Sequence, residues 1–328
     1  MNRDQTAPRS TIIDVAGARV GGAAKFLGEL SRYLDANPER PVHVIGRDRS
    51  FGPTWLARRE VLAREGHARI ALNNAGFTLG RNNVTLLRNA LHFASSDELE
   101  ELQFRPSRAL RAQTRIVRAA AHRSTRLVVP CDAMAERVRA HAPRLAEKLL
   151  VRAHPVSPAA WAAAGDRPSE TPNIFLPILN APYKRLHLHV ARLLTALDAA
   201  QISASIVVTA HPIEFAELAQ QSRTQFTGPL QGTELEQCWR RATAVYFPTQ
   251  LESFGYPLAE ARVYGIPVIA VDSGQNRQIA GAALRPFREG DAESLADAVR
   301  LALTHPAEPD PEPFSPQAYF DWLLDGPC

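Results

Sequence analysis

The sequence is poor in cysteine and has no long apolar run. Its three cysteines, Cys131, Cys238 and Cys328, lie far apart, which favours neither a disulfide framework nor a zinc site. A reducing, cytoplasmic setting is the simplest prediction. The sequence contains no stretch of about 18 consecutive apolar residues, so no membrane-spanning helix is predicted. The polar first ten residues lack the apolar core of a signal peptide. These absences argue against a disulfide-rich secreted module and against an integral membrane protein.

Lysine is also scarce, so the net charge of +4 comes almost entirely from arginine. The only lysines are Lys25, Lys148 and Lys184. The mild, dispersed basic excess fits anionic small ligands but is too weak to predict nucleic-acid binding, and no basic patch is interleaved with aromatic residues. With 328 residues the chain is long enough for two domains, each with its own core.

The first residues show the pattern of a βαβ unit. A short apolar run at 11–15 predicts a strand, the spacing of apolar residues over 23–34 predicts a helix, and 41–45 predicts the next strand. This opening predicts a doubly wound parallel sheet. The Gly21-Gly22 pair lies in the first βα turn, where it either makes a tight turn only or lets a ligand approach the backbone. Segment 56–70 fits one helix or a helix followed by a strand.

Two charged features in the first half of the sequence belong to predicted helices: a stripe of arginines along one helix and an aspartate at the start of the next. Four arginines recur at helical spacing in a predicted helix over 107–123 (Arg108, Arg111, Arg115 and Arg118). The stripe fits a solvated face, or a patch for an anionic acceptor or a membrane surface. It lacks the bulky apolar neighbours that insert into bilayers, so membrane binding is not predicted. Asp132 is placed to cap the following helix.

The second half contains the most informative stretch, 247–272. An apolar run at 244–247 predicts a buried strand, and Pro257 suits the first position of a helix that Gly265 ends. A loop and a helix N-terminus at the end of a parallel strand form an anion site. Glu252 lies in the loop and Glu260 in the predicted first helical turn. Carboxylates at these positions accept hydrogen bonds from hydroxyl groups of a ligand. The pattern therefore fits a nucleotide sugar, or a capped helix with two solvated glutamates.

These residues carry a resemblance to a known family. The stretch from Glu252 through Ser-Phe-Gly-Tyr-Pro-Leu-Ala to Glu260, followed by Gly265-Ile-Pro-Val, resembles the E-x7-E signature of the retaining GT-B glycosyltransferases of family 4. The resemblance implies an α/β protein of two Rossmann-like, doubly wound parallel-sheet domains that face a central cleft. It places an acceptor-side domain at 1–160 and a nucleotide-sugar-binding domain at 161–305. A proline-rich linker and a C-terminal helix, 306–328, would cross back to the first domain.

The resemblance also implies functional residues. Lys184, between a predicted strand and a predicted helix, resembles the family lysine that binds the donor diphosphate. The residues implied as catalytic are Glu252, Lys184 and Asn89, and those implied in donor binding are Gly22, Arg185, Leu230, Ser253, Phe254, Gly255, Tyr256 and Glu260. Two positions depart from the family pattern. Arg88 stands where the family often has histidine, with His92 nearby, and Leu179 stands where it often has arginine.

The resulting prediction is a retaining hexosyltransferase that needs no metal and no resident cofactor. It would move a sugar from a nucleotide-diphosphate-sugar to a hydroxyl of a glycan, a lipid-linked or a small-molecule acceptor. The alternative is a catalytically weak or inactive GT-B protein that binds a sugar nucleotide or a glycan, which the two departures motivate. A Rossmann dehydrogenase is disfavoured, because Gly17, Gly21 and Gly22 do not supply Gly-x-Gly-x-x-Gly.

Overall fold

The computed structural model describes residues 10–163 and 171–326, which form two compact units. Unit 1 consists of Met1–Leu99, Arg105–Pro155 and Ser315–Cys328, and unit 2 of Glu100–Phe104 and Val156–Phe314. Residues 164–170, half of the stretch 159–172 whose composition predicts an interdomain linker, lie outside the described residues, as do Cys328 and nine of the first ten residues. Each unit has one parallel sheet of six strands covered by helices, which confirms the predicted fold class.

Unit 1 has the strand order β2-β1-β3-β4-β5-β6, with every neighbouring pair parallel. Its strands are β1 (Thr11–Asp14), β2 (Val42–Ile45), β3 (Ala68–Ala71), β4 (Asn83–Leu86), β5 (Arg126–Val129) and β6 (Leu149–Val151). Its main helices are α1 (Gly21–Ala36), α2 (Pro53–Leu62), α3 (Ser96–Glu101), α4 (Arg108–Ala121) and α5 (Asp132–His141). The ambiguous segment 56–70 is thus the end of α2 followed by β3. Thr11 pairs with both Val42 and Ala68, so β1 is central.

Helix capping in unit 1 follows the sequence in one case and not in another. The Ser107 hydroxyl accepts a hydrogen bond from the backbone N–H of Leu110 and caps α4. The prediction that Asp132 caps α5 is wrong. The N-cap position belongs to Cys131, and Asp132 lies in the first turn of the helix. Its carboxylate there still suits the positive end of the helix dipole. Cys131 is buried, as expected, and burial raises the pKa of its thiol.

A buried ion pair joins the carboxyl end of β1 to α2. The Asp14 Oδ2 and Arg59 Nη1 atoms are 2.7 Å apart, and the two side chains are 0% and 2% exposed. The Asp14 carboxylate also accepts hydrogen bonds from Trp55, Asn73 and the backbone N–H of Ala16. The Nη2 atom of the guanidinium donates to the carbonyl oxygens of Ala75 and Gly76, and the guanidinium lies over the Phe77 ring. This network fixes the loop that follows β3.

Unit 2 has the strand order β12-β11-β10-β7-β8-β9. Its strands are β7 (Asn173–Leu176), β8 (Ser205–Val208), β9 (Thr224–Phe226), β10 (Ala244–Phe247), β11 (Val268–Val271) and β12 (Leu284–Phe287). Its helices are α6 (Ala160–Ala163), α7 (Leu186–Ala199), α8 (Ala216–Ala219), α9 (Gly232–Arg241), α10 (Tyr256–Tyr264), α11 (Gly274–Ala280) and α12 (Ala292–Thr304). Read from the opposite edge, the order is β9-β8-β7-β10-β11-β12. If the strands of this unit are numbered 1 to 6 along the chain, this is the 3-2-1-4-5-6 order of the Rossmann sheet. The order reverses between β7 and β10, where loops leave the sheet on opposite faces.

The C-terminal helix α13 (Pro316–Asp325) belongs to unit 1 and packs on α1. The rings of Phe26 and Phe320 meet edge to face at 5.5 Å. The Tyr33 hydroxyl donates a hydrogen bond to Asp321 over 2.6 Å. Burial, followed by this bond, raises the pKa of Tyr33 to about 12. The chain that precedes α13, up to Phe314, belongs to unit 2.

Candidate active site at the switch point of unit 2

Two charged side chains meet at the carboxyl ends of the central strands of unit 2. β7 ends at Leu176 and β10 at Phe247, and the loops that follow them bring Lys184 and Glu252 together. The Lys184 Nζ and Glu252 Oε1 atoms are 2.6 Å apart, and the two side chains are 13% and 20% exposed. In open α/β sheets, ligands bind outside the carboxyl ends of the strands at the point where the strand order reverses. The pair therefore lies where this fold builds ligand sites.

The loop that carries Lys184 has an unusual backbone. A short 3-10 turn, Pro182–Lys184, precedes α7, and Arg185 at the N-cap has a φ of 45°. A residue other than glycine pays a steric cost in this left-handed region, and such residues cluster at functional sites. The carbonyl of Arg185 accepts the hydrogen bond of Leu188 N–H and so begins α7. The strained residue thus sets the direction in which the preceding lysine leaves the backbone.

Glu252 keeps Lys184 charged in its half-enclosed position. Burial alone lowers the pKa of an ammonium group, because water stabilises the charged form better than protein does. Here burial is the largest single influence, but the charge of Glu252, its hydrogen bond and Tyr183 together outweigh it, so the pKa of Lys184 is raised above its ordinary value. The site therefore holds a permanent positive charge beside a negative one.

Two aromatic rings next to the ion pair were not predicted from the sequence. The Lys184 ammonium lies 5.9 Å from the centre of the Tyr183 ring, within the range of a cation–π contact. Phe104 meets Tyr183 edge to face at 5.4 Å. Phe104 comes from the short segment Glu100–Phe104, which is part of unit 2 although its flanking residues belong to unit 1. No local signal in the sequence brings this segment to Tyr183, 79 positions later.

The signature loop begins α10 through a glycine that no other residue replaces easily. Gly255 is the N-cap with a φ of 84°, and a Cβ atom there would lie 2.9 Å from Leu258 Cδ1. The prediction that Pro257 is the first residue of this helix is wrong, because α10 begins at Tyr256 and Pro257 is its second residue. The Phe254 and Tyr256 rings are buried and meet edge to face at 5.1 Å. The loop is thus a rigid lead into a helix N-terminus.

The two glutamates of the signature are not on a solvated surface. Glu260 is buried and is the fifth residue of α10, so the prediction that it lies in the first helical turn is wrong. The helix begins at Tyr256, which moves Glu260 into the second turn. The alternative of two solvated glutamates is also wrong, because Glu252 is half-buried and ion-paired. Ser253 is half-buried next to Glu252.

The remaining predicted donor residues of unit 2 lie at the same edge of the sheet. Arg185 is half-buried beside Lys184, and Leu179 is exposed. Leu230 is half-buried in the loop after β9. In that loop Gly228 has a φ of 76°, and its N–H donates to the carbonyl of Ala210 after β8. The loops after β7, β9 and β10 therefore carry candidate residues, and the loop after β8 supports the loop after β9.

Gly22 and Asn89 belong to unit 1, where a neighbouring arginine organises their surroundings. Gly22 is the second residue of α1, and its carbonyl accepts a hydrogen bond from Arg88 Nη2 over 2.9 Å. The Arg88 guanidinium stacks 4.4 Å above the Phe26 ring. Asn89 caps a short turn by accepting the N–H of Leu91. Arg88, at the position of the family histidine, thus binds the first turn of α1. The prediction that Gly21 and Gly22 lie in the turn before this helix is wrong, because α1 begins at Gly21.

His92 is part of the core of unit 1 rather than of a surface loop, which corrects the expectation that a loop histidine is exposed. Its ring is fully buried, and its Nδ1 atom lies 3.0 Å from the Thr114 hydroxyl. Burial, followed by the charge of Arg118, lowers the pKa of His92 to about 4. Arg118 itself donates to the His92 carbonyl, so one member of the predicted arginine stripe is structural. Arg108, Arg111 and Arg115 are exposed.

Within residues 10–163 and 171–326, no group of three or more His, Cys, Asp or Glu side chains is arranged to hold a metal ion. None of the helices that the structure describes has the length and the apolar composition needed to cross a bilayer. The candidate site of unit 2 consists of the Lys184 ammonium paired with the Glu252 carboxylate, beside the rings of Tyr183 and Phe104.

Comparison with known proteins extends these observations. Residues 214–319 match the family model described as glycosyl transferases group 1, a segment that includes both glutamates of the signature. No curated protein sequence matches the chain. Solved structures align along nearly the whole chain. WaaG, a glycosyltransferase involved in lipopolysaccharide biosynthesis, has a TM-score of 0.64 at 13% identity, covering 96% of this chain and 97% of its own.

Two further structures agree. Sucrose-phosphate synthase from Thermosynechococcus elongatus has a TM-score of 0.63 at 15% identity, covering 97% of this chain and 94% of its own. AviGT4, a glycosyltransferase involved in avilamycin A biosynthesis, has a TM-score of 0.63 at 16% identity, covering 97% and 99%. The chain has the two-domain fold of the GT-B glycosyltransferases. At these identities, structural likeness establishes the GT-B fold alone, and function must be argued from the site. The family match over the signature supports sugar transfer.

Proposed function

We propose that this GT-B protein transfers a hexose from a nucleotide-diphosphate-sugar to an acceptor hydroxyl, with retention of the anomeric configuration. The observation that carries the proposal is the Lys184–Glu252 pair at the switch point of unit 2. A half-buried ammonium supplies charge for a diphosphate, and the adjacent carboxylate accepts hydrogen bonds from hydroxyls of a sugar. The family match covers Glu252 and Glu260 but begins after Lys184, so the lysine is an independent indication.

Stabilisation of the leaving group is the main catalytic contribution in this proposal. As the glycosidic bond breaks, the nucleoside diphosphate gains negative charge. Lys184 and the N-terminus of α10, which begins at Tyr256, supply preorganised positive charge at that point. Lys184 therefore takes the role that a divalent cation has in other transferases, and we propose that no metal is required. Arg185 is a second cation for the diphosphate.

The other predicted residues are assigned to the rest of the donor. Glu252 holds hydroxyls of the donor sugar, and Glu260, buried in α10, holds the ribose. Ser253, Phe254 and Gly255 present backbone groups beside the diphosphate, and Tyr256 begins the helix there. Leu230 follows the Gly228 turn and contacts the base. Holding the donor and the acceptor in one geometry supplies an entropic advantage that does not depend on any single contact.

We assign acceptor binding to unit 1, in which Gly22 and Asn89 are the candidate residues. Unit 1 contains 26 Lys and Arg against 15 Asp and Glu, whereas unit 2 contains 12 against 19. The acceptor is a glycan, a lipid-linked or a small molecule, and the charge of unit 1 favours one that carries negative groups. The exposed arginines of α4 are the candidate contacts.

The proposal is tested by a thermal-shift screen against UDP-, GDP- and ADP-sugars, followed by a turnover assay with the donor that binds. A bound donor raises the melting temperature by mass action. We expect one nucleotide series to do so, with slow donor hydrolysis and retention in the product. If none of the sugar nucleotides shifts the melting temperature, the proposal is wrong. Binding without hydrolysis or transfer would favour the inactive GT-B binder.

A further inference from the structure

The ion pair at the candidate site joins two groups that the proposed function assigns to different parts of the donor. Lys184 is assigned to the diphosphate and Glu252 to the sugar, yet in this structure they bind each other over 2.6 Å. A charge-assisted hydrogen bond of this length is strong, and the Lys184 ammonium is 13% exposed. A diphosphate therefore has to compete with a carboxylate that already neutralises the cation.

We propose that Glu252 selects the intact donor over the spent nucleoside diphosphate by exchanging partners with Lys184. When a donor binds, hydroxyls of its sugar occupy Glu252 and release Lys184 to the diphosphate. A nucleoside diphosphate brings no sugar, so Glu252 keeps its hold on Lys184 and binding is weak. After transfer, the loss of the sugar lets Glu252 recover Lys184, which promotes release of the product. This inference rests on the proposed function.

The surroundings of the ion pair favour such an exchange. Separating two half-buried charges removes a strong contact from each, so opening of the pair is favoured when a ligand replaces both contacts. A donor provides both at once, a hydroxyl for the carboxylate and a phosphate for the ammonium, whereas a diphosphate alone provides only one. The Tyr183 ring, 5.9 Å from Lys184 Nζ, restricts the ammonium to this region in either state.

The protonation state of Lys184 fits an exchange of binding partners that involves no proton transfer. Glu252 raises the pKa of Lys184 in spite of burial, so the ammonium stays charged at neutral pH. The positive charge is thus available to whichever anion binds it better. No proton has to leave or enter the site when the diphosphate arrives.

The test uses Glu252→Gln, which keeps the shape of the side chain but removes its charge. Isothermal titration calorimetry with inorganic pyrophosphate measures the diphosphate site without knowledge of the base, and the nucleoside diphosphate of the donor found in the screen is the second probe. We expect both to bind about tenfold more tightly to Glu252→Gln than to the unchanged protein. The donor itself should not bind more tightly, because it loses contacts to its sugar.

The matched control is Glu214→Gln. Glu214 is an exposed carboxylate of unit 2 that pairs with Asn180 in the same loop as Lys184, so the variant removes one charge without touching the ion pair. Pyrophosphate affinity should be unchanged in this control. Equal gains in Glu214→Gln and Glu252→Gln, or no gain in Glu252→Gln, would overturn the inference.

The background Lys184→Ala distinguishes exchange from simple repulsion between the carboxylate and the diphosphate. Exchange requires Lys184, so adding Glu252→Gln to this background should not strengthen pyrophosphate binding or restore it if it is lost. If Glu252→Gln strengthens pyrophosphate binding as much in the Lys184→Ala background as it does when Lys184 is present, the effect is repulsion between the carboxylate and the diphosphate. The inference is then wrong. Circular dichroism checks that each variant is folded. If sugar transfer is observed but these couplings are absent, the inference alone is wrong; if no sugar nucleotide binds, the proposed function is wrong.

Discussion

Both units place an ion pair at the carboxyl end of a central strand, and the two pairs differ in how completely they are surrounded. In unit 1, Asp14 is 0% and Arg59 2% exposed, and the carboxylate accepts four hydrogen bonds from side chains and backbone. In unit 2, Lys184 and Glu252 retain 13% and 20% exposure. The position in the fold is similar, but water and ligands reach only the second pair.

The chemistry of the cations matches this difference. The guanidinium of Arg59 presents a fixed fork of donors, of which Nη1 binds Asp14 and Nη2 binds two carbonyl oxygens of the loop after β3. The ammonium of Lys184 is a point charge on a flexible stem and can move between anions. We interpret the first pair as a brace for its unit and the second as a binding site. The following predictions test this contrast, from the largest expected effect to the smallest.

The first prediction concerns the brace. Asp14→Ala leaves a guanidinium buried without its carboxylate, and we expect a loss of about 3–5 kcal/mol in the free energy of unfolding. Urea denaturation followed by circular dichroism measures it. Replacing both partners with apolar residues, Asp14→Leu with Arg59→Met, should recover most of the loss. A stability change below about 1 kcal/mol for Asp14→Ala would contradict the role of a brace.

The second prediction concerns the binding site. We expect Lys184→Ala to lower kcat/KM for sugar transfer by roughly 100- to 1,000-fold, the effect of removing one preorganised donor from a developing negative charge. Steady-state kinetics with the donor from the screen measures it. Lys148→Ala, which removes a half-buried lysine of unit 1 bound to backbone carbonyls, is the control and should retain activity. Unchanged transfer in Lys184→Ala would remove the assigned role.

The third prediction concerns how acid changes the free energy of unfolding of the two units. Burial lowers the pKa of His92 in unit 1 and of His189 in unit 2 to about 4, well below the ordinary 6.5. Between these values the unfolded chain binds more protons than the folded one, so stability is present above pH 6.5 and is lost as the pH falls towards 4. Each histidine accounts for about 3 kcal/mol of this loss.

Denaturation by urea at pH 7 and at pH 4.5 checks this prediction. His189→Leu should remove most of the acid sensitivity that unit 2 contributes, because leucine binds no proton. The Nδ1 atom of His189 is buried and has no hydrogen-bond partner among the described residues, so little is lost at pH 7. The exposed neighbour His187 provides the control His187→Leu. Equal pH responses of the two variants would contradict the prediction.

The fourth and smallest effect concerns the charge of unit 1. Arg111 lies three residues from Arg108 and four from Arg115, and α4 contains no acidic residue. Like charges at these spacings destabilise a helix, so Arg111→Glu should stabilise the protein by about 0.5 kcal/mol in thermal denaturation. Arg118→Glu should destabilise it, because Arg118 binds the His92 carbonyl. With an anionic acceptor, Arg111→Glu should also raise KM for the acceptor alone.

Local patterns in the sequence predicted most elements but not the contacts between distant ones. The strand over 244–247 was predicted with its observed bounds, because an apolar run ends at Pro248. The Asp14–Arg59 and Lys184–Glu252 pairs were not predicted, since they join residues 45 and 68 positions apart and depend on strand order. Glu260 was placed one turn too early because the left-handed Gly255 begins α10 at Tyr256.

The path of the chain through the two units limits how the protein can be divided. Unit 1 takes its last helix from Ser315–Cys328, and unit 2 takes Glu100–Phe104 from within the first half. A polypeptide ended at Pro155 would lack the ring of Phe320 that covers Phe26, and one begun at Val156 would lack Phe104 beside Tyr183. Neither half of the gene therefore encodes a self-sufficient module, and recombination by exchange of halves would have to carry both borrowed segments along.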